Sequence, residues 1–324
     1  MKLTVEQIKS IAVGVARVEE NDGKIYLLRF TKEQEELYKI TNPDFYKKTF
    51  ATAGVRLDLT TDSNTLFLEV EESSGSSRKY FNHAIYIDGV RYSELGCKTD
   101  TGVFSGKWTL PEGEKRVTVY FPWSTCSAIK SLELDDGASV APVKKSHTML
   151  TFGDSITHGY DATSPELSYA SKLADALDAD SRNKGIGAEI FRPELAELSD
   201  GISPDYISVA YGTNDWTACE IEVFKKNCSG FYRALAKNYP TSKIFALTPI
   251  WRKDIQSEKK AGEFHVIAGF IEELAKEIPN MIVINALPFV PEDLGCFSKD
   301  GVHPNDRGFV FYADGVINEV KKYL

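Results

Sequence analysis

The chain has 324 residues, 42% of them hydrophobic and 26% charged, which predicts a folded protein of two domains or one large one and excludes disorder as its main state. A net charge of -9 without a Lys/Arg cluster argues against nucleic acid as a partner. Five cysteines with no C-x-x-C fit reduced thiols in the cytoplasm better than a disulfide framework or a Cys-rich zinc site. The opening Met1-Lys2-Leu3-Thr4-Val5-Glu6 has no signal-peptide core, and no apolar run approaches the ~20 residues of a membrane span, so no membrane partner is expected.

Residues 1–143 read as short strands and turns. Val55–Leu59, Thr65–Val70, Ala84–Ile87 and Arg116–Phe121 alternate apolar and polar side chains. Asp88-Gly89 between Ile87 and Val90 is a hairpin signal, because glycine takes positive φ at little cost. A short helix is expected at Lys32–Tyr38, with Glu33-Gln34-Glu35-Glu36 as its solvated face. This pattern predicts a β-sandwich of the jelly-roll kind. Trp108 and Trp123 read as its core or as interdomain contacts, and His83 as structural.

Near Ala141–Ser146 the periodicity changes. Residues 147–324 alternate strands (Thr148–Phe152, Tyr206–Ala210, Lys243–Leu247, Met281–Ile284) with helices (Leu167–Leu177, Phe191–Leu198, Ile221–Asn238, Ala261–Glu277, Phe309–Tyr323). That order predicts an α/β domain: a parallel sheet with helices on both faces and its ligand site at the carboxyl ends of the strands.

Three motifs fall at that rim. Gly153-Asp154-Ser155 follows the first strand of this half, Gly212-Thr213-Asn214-Asp215 the second, and Asp300-Gly301-Val302-His303 precedes the last helix, with Pro304 at its expected first position. Each alone reads as a turn or a cap. Together they read as acyl-transfer chemistry. A serine hydroxyl needs a neighbouring base to become a nucleophile, which makes Ser155 the nucleophile and His303 the base. Asp300, three residues earlier, can turn back to one imidazole nitrogen and fix the tautomer. The Asn214 amide and the Ser155 N–H supply oxyanion donors. Asp154 reads as the residue that holds the nucleophile turn.

These blocks resemble, in order, those of the SGNH (GDSL) hydrolases, which implies a flavodoxin-like sheet over residues 147–324 and no metal or organic cofactor. Asn183-Lys184-Gly185-Ile186-Gly187-Ala188 resembles the second block. The family's oxyanion glycine falls there on Ala188, or on Gly187 if the block is shifted. Alanine keeps the N–H but tolerates positive φ less well. Thr157 stands where the α/β-hydrolase elbow would have glycine, and Ile190 where a dinucleotide loop would have its third glycine. The β domain preceding an SGNH domain is similar to carbohydrate esterase family 2. That resemblance implies removal of acetyl groups from sugar hydroxyls, on a small-molecule or oligosaccharide ester.

Trp216, Trp251 and Tyr160 are candidates to line the substrate rim. The competing readings are a lipase, thioesterase or arylesterase on another ester, and a noncatalytic carbohydrate-binding protein. A metal-dependent hydrolase using Asp154, Asn214, Asp215, His158 and His303 lacks companion ligand blocks. Oligomeric state is left open by the sequence.

Overall fold

A computed structural model describes all of residues 1–324. Two antiparallel sheets face each other in the first half. One runs Ala12–Val13, Arg56–Thr61, Lys115–Tyr120, Phe81–Ile87, Val90–Cys97, with Ala141–Pro142 added beside Arg56–Thr61. The other runs Arg17–Asn21, Lys24–Leu28, Thr125–Leu134, Thr65–Ser74, Gly102–Thr109. Alternation along the strands sends Leu57, Leu59, Leu66, Leu68, Val117 and Val119 into one shared core. The hairpin at Asp88-Gly89 forms as expected, with φ of 49° and 79° at the two turn residues.

Two helices interrupt the sandwich. α1 (Lys32–Thr41) opens on a capping box from Thr31 and Gln34, and α2 (Pro43–Thr49) on Asn42 with proline in its first turn. They extend well past the short helix expected there, and they do not belong to the sandwich core. Phe30 and Tyr38 sit in the core of the second half. The solvated face expected of Glu33–Glu36 is wrong for its middle. Gln34 is buried and bonds Asp200, and Glu35 pairs with Arg17. The charge run hid a polar contact between the halves, which sequence spacing does not reveal.

In the second half, β1 (His147–Gly153), β2 (Ala179–Asn183), β3 (Tyr206–Ala210), β4 (Lys243–Leu247) and β5 (Met281–Ile284) form a parallel sheet in the order β2-β1-β3-β4-β5, the flavodoxin-like arrangement. The central strands β1, β3 and β4 are buried on both faces. Leu150, Phe152, Ile207 and Val209 join one core, and Met149, Phe245, Leu247 and Ile284 the other. β2 escaped the sequence reading because Ala-Asp-Ser-Arg-Asn carries no apolar run. The last helix starts at Asp306 with Asn305 as its cap, so Pro304 lies just before it and not at its first position. No helix is long and apolar enough to cross a membrane.

Candidate active site

Ser155 follows β1 by two residues and opens a four-residue helix, Ser155–His158. Asp154 caps that helix: its Oδ1 accepts the Ile156 N–H at 2.9 Å. Burial pushes the Asp154 carboxyl up to about 6. Gly159 ends the turn at φ 108°, where a Cβ would stand 3.2 Å from Trp123. The Ser155 turn is therefore held at both ends, by a cap and by close packing.

His303 arrives on the loop before the last helix. Its carbonyl accepts the Ser298 N–H at 2.8 Å, and Gly301, at φ 67°, accepts the Lys253 N–H at 2.9 Å. Asp300 Oδ1 accepts the N–H groups of Val302 and His303 at 2.9 and 3.0 Å. Its other oxygen lies 2.6 Å from His303 Nδ1, and His303 Nε2 lies 2.7 Å from Ser155 Oγ. With the proton on Nδ1, the imidazole donates to Asp300 and accepts from the serine hydroxyl. Partial burial works to raise the Asp300 carboxyl, but the His303 hydrogen bond and the two N–H groups outweigh it and hold it below the usual range.

A second carboxylate stands behind the imidazole. Asp161 Oδ2 is 4.0 Å from His303 Nδ1. Both its oxygens are taken by Arg78, at 2.8 and 3.1 Å, which reaches across from the sandwich. The Arg78 guanidinium also lies over Tyr160, whose ring stacks on His303 at 5.7 Å.

On the other side of Ser155, the loop after β2 brings Ala188 to the rim at φ 72°. For an L-residue this left-handed conformation costs roughly 1–2 kcal/mol. The Ala188 N–H bonds nothing within the protein. As the first residue of its helix, Ser155 likewise has no intrahelical acceptor for its N–H. The glycines of this loop serve space instead: a Cβ on Gly185 would meet the His158 nitrogen at 2.4 Å, and one on Gly187 the Tyr160 ring at 2.6–2.9 Å. Asn214 Nδ2 donates one hydrogen to the Glu189 carbonyl at 3.0 Å, which leaves the second for a ligand. Asp215 accepts from Gly212 and Phe191 at 3.1 Å each, tying the β3 turn to that loop, and burial raises its carboxyl to about 7.

The structure thus brings Ser155, His303, Asp300, Ala188 and Asn214 to one rim and separates the other candidates. Trp216 is wholly buried, its Nε1 donating to Gly262, so it presents no ring to a substrate. Tyr160 is buried beneath the imidazole. Trp251 is half-buried against Phe297, which lines the adjoining cleft. Burial holds the His158 imidazole well below its usual pKa, and Nε2 donates to the Trp123 carbonyl at 2.8 Å. The residues gathered closely enough to hold a metal are Asp161, Asp300 and His303, within 4.8 Å of one another, but there Arg78 and Ser155 already engage Asp161 and His303.

A cleft of about 890 Å³ opens between the halves on the Asp300 side of Ser155 and His303. Arg78, Tyr80, Phe81 and Asn82 wall it from the sandwich, Phe297 and Asn305 from the parallel-sheet half. Sequence reasoning missed Arg78 and Asp161. Neither stands in a motif, and only the packing of the two halves brings them together.

Residues 151–309 match the model of the GDSL-like Lipase/Acylhydrolase family. No curated protein matches the chain in sequence. Among solved structures, the salicylyl-acyltransferase SsfX3 from a tetracycline biosynthetic pathway superimposes with a TM-score of 0.78 at 21% identity, covering 96% of this chain and 94% of that one. A family two carbohydrate esterase from Cellvibrio japonicus gives 0.71 at 18%, covering 99% and 97%. An acetyl xylan esterase (Est2A) from the rumen bacterium Butyrivibrio proteoclasticus gives 0.67 at 14%, covering 100% and 98%. At these identities the likeness is one of fold, and it extends over both halves.

Proposed function

We propose that this enzyme, whose residues 151–309 match the GDSL-like lipase/acylhydrolase family model, removes acetyl or similarly short acyl groups from carbohydrate hydroxyls through an acyl-enzyme on Ser155. The observation that carries the reading is the unbroken chain Asp300–His303–Ser155, with links of 2.6 and 2.7 Å, beside a cleft walled by both halves.

His303 Nε2 takes the Ser155 proton as Oγ attacks the acyl carbonyl. Asp300 holds the tautomer and stabilises the imidazolium. The N–H groups of Ser155 and Ala188 and the free Asn214 amide hydrogen receive the negative charge on the carbonyl oxygen. Collapse breaks the ester bond, and the imidazolium gives its proton to the departing sugar oxygen. A water then loses its proton to His303, attacks the acyl-enzyme and releases the acid. In the cleft, Tyr80, Phe81 and Phe297 offer apolar surface, and Glu94, Lys98 and Lys299 offer polar groups, a mixture that suits a sugar. The five free cysteines fit action in the cytoplasm on imported oligosaccharides.

A second reading replaces water with an organic alcohol. It is favoured by the size of the cleft beside the general base and by the overlap with a salicylyl-acyltransferase.

The test is acetate release from 4-nitrophenyl acetate and from acetylated xylo- and manno-oligosaccharides, with Ser155→Ala alongside. The expected result is turnover of the oligosaccharides by wild type and a loss of at least ~10³-fold in kcat in the variant. Full activity of a folded Ser155→Ala protein would overturn the mechanism. Turnover confined to the aryl ester, with acyl transfer to added alcohols, would favour the second reading.

A further inference from the structure

The loop carrying Ala188 is gripped from the first half of the chain. Arg29 is fully buried with no carboxylate beside it, and four backbone carbonyls solvate its guanidinium. Nη1 donates to Asn183 at 2.7 Å and to Gly185 at 2.8 Å; Nε and Nη2 donate to Ala51 and Lys48 at 2.7 and 2.9 Å. Lys48, at the end of α2, donates from Nζ to the Gly187 carbonyl at 2.9 Å. Every second carbonyl of the loop, at 183, 185 and 187, therefore faces a cation of the first half.

In a trans peptide the N–H points opposite to the carbonyl. The N–H groups across these three peptides belong to Lys184, Ile186 and Ala188. The first donates to Thr151 at 2.7 Å and the second to Gly153 at 3.0 Å, both on the strand that leads to Ser155. The third, continuing the series past that strand's end, is the unpartnered N–H of Ala188. Its peptide is the middle one of a turn closed by the Glu189 N–H on the Ile186 carbonyl at 3.0 Å, so this N–H points away from Lys48, in the left-handed conformation that alanine by itself disfavours.

We infer that Lys48 and Arg29 are positioning residues of the oxyanion hole: by fixing the Asn183, Gly185 and Gly187 carbonyls on the far side of the loop, they hold the Ala188 N–H toward the acyl oxygen. The inference rests on the assignment of Ser155 as nucleophile and Ala188 as donor. It gives the first half of the chain a part in the chemical step in addition to walling the cleft. It also accounts for an alanine where the φ value would favour glycine, because the conformation is imposed from outside the loop.

Lys48 is the residue to test, since its bond reaches the Ala188 peptide itself and its loss leaves the Arg29 cluster in place. Lys48→Met keeps the aliphatic stem. The experiment measures kcat and KM on 4-nitrophenyl acetate, the Ki of methylboronic acid (a mimic of the tetrahedral acetyl adduct) and the thermal midpoint, for wild type, Lys48→Met, Lys48→Arg and Ser155→Ala. The expected result is a fall of about 10-fold in kcat for Lys48→Met, a rise of similar size in the boronate Ki, little change in KM, and recovery to within about threefold in Lys48→Arg, which can still donate. Unchanged kcat and Ki in Lys48→Met, with Ser155→Ala inactive, would overturn this inference and leave the esterase reading standing. So would a fall in kcat that follows the thermal midpoint while the boronate Ki stays put, because that is loss of fold alone. Undiminished turnover by Ser155→Ala would overturn both.

Discussion

The two sides of Ser155 are built differently. On the side of the candidate base, Asp300 and His303 stand three residues apart in one loop, and bonds within that loop, from the Ser298 N–H to the His303 carbonyl and from the Val302 N–H to Asp300, help to shape it. On the side of the proposed oxyanion donor, the carbonyls of the Ala188 loop are bonded by Arg29 and Lys48, more than 130 residues away in the chain. The carboxylates differ in the same sense. Asp300, met by its imidazole and two N–H groups, is held below the usual range, whereas buried Asp154 and Asp215 are pushed up to about 6 and about 7. A base can be oriented by neighbours in sequence. A backbone donor can be aimed only by whatever holds its peptide plane.

The largest expected effect falls on the local side. Asp300→Asn should keep the fold but present the wrong partner to His303 Nδ1, lowering kcat by about 10²–10⁴ with the thermal midpoint nearly unchanged. If Asp161, 4.0 Å away, took over the role, the loss would shrink below tenfold, and the base side would prove no more local than the other.

A smaller effect should appear in stability against pH. The folded protein keeps protons on Asp154 and Asp215 that the unfolded chain, with its ordinary carboxylate value of 3.8, has already released. These two groups therefore favour the fold most at low pH, and their contribution declines as pH rises from about 4 to about 7. Asp215→Asn removes one of them. Its thermal midpoint, lowered overall by a weakened pair of N–H bonds, should vary less across that window than the wild-type value. An unaltered pH slope would remove the contrast between the carboxylates.

The smallest effect sharpens the comparison most. Ala188→Gly relieves the left-handed strain but gives part of that back as added backbone freedom in the unfolded chain, leaving a net stabilisation of about 0.5–1 kcal/mol by chemical denaturation. If the external grip sets the loop, kcat should stay within about threefold of wild type. A tenfold fall would mean that the alanine, and not the grip, holds the donor in place.

The legible parts of this protein share a physical character. The strands His147–Gly153 and Tyr206–Ala210 are apolar runs because both faces of a parallel sheet are buried. Asp154, Ser155, Asn214, Asp300 and His303 stand in short motifs because caps, turns and an i, i+3 hydrogen bond act over a few residues. The strand Ala179–Asn183 was invisible because it pairs at the sheet edge with polar side chains. Trp216 was misplaced because proximity to a motif does not say which way a ring points; helical geometry turns it into the core under Arg252.

The sequence by itself determined the two-part architecture, the order of the blocks and the identity of the nucleophile and base candidates, since periodicity and short-range chemistry are written locally along a chain. Only the tertiary structure decided that α1 and α2 belong with the second half, that Arg78 meets Asp161 behind the imidazole, and that Arg29 and Lys48 grip the loop of Ala188. These are contacts between buried or half-buried charges and groups far away in the chain. Burial makes such partners obligatory, but nothing in the spacing of the residues names them.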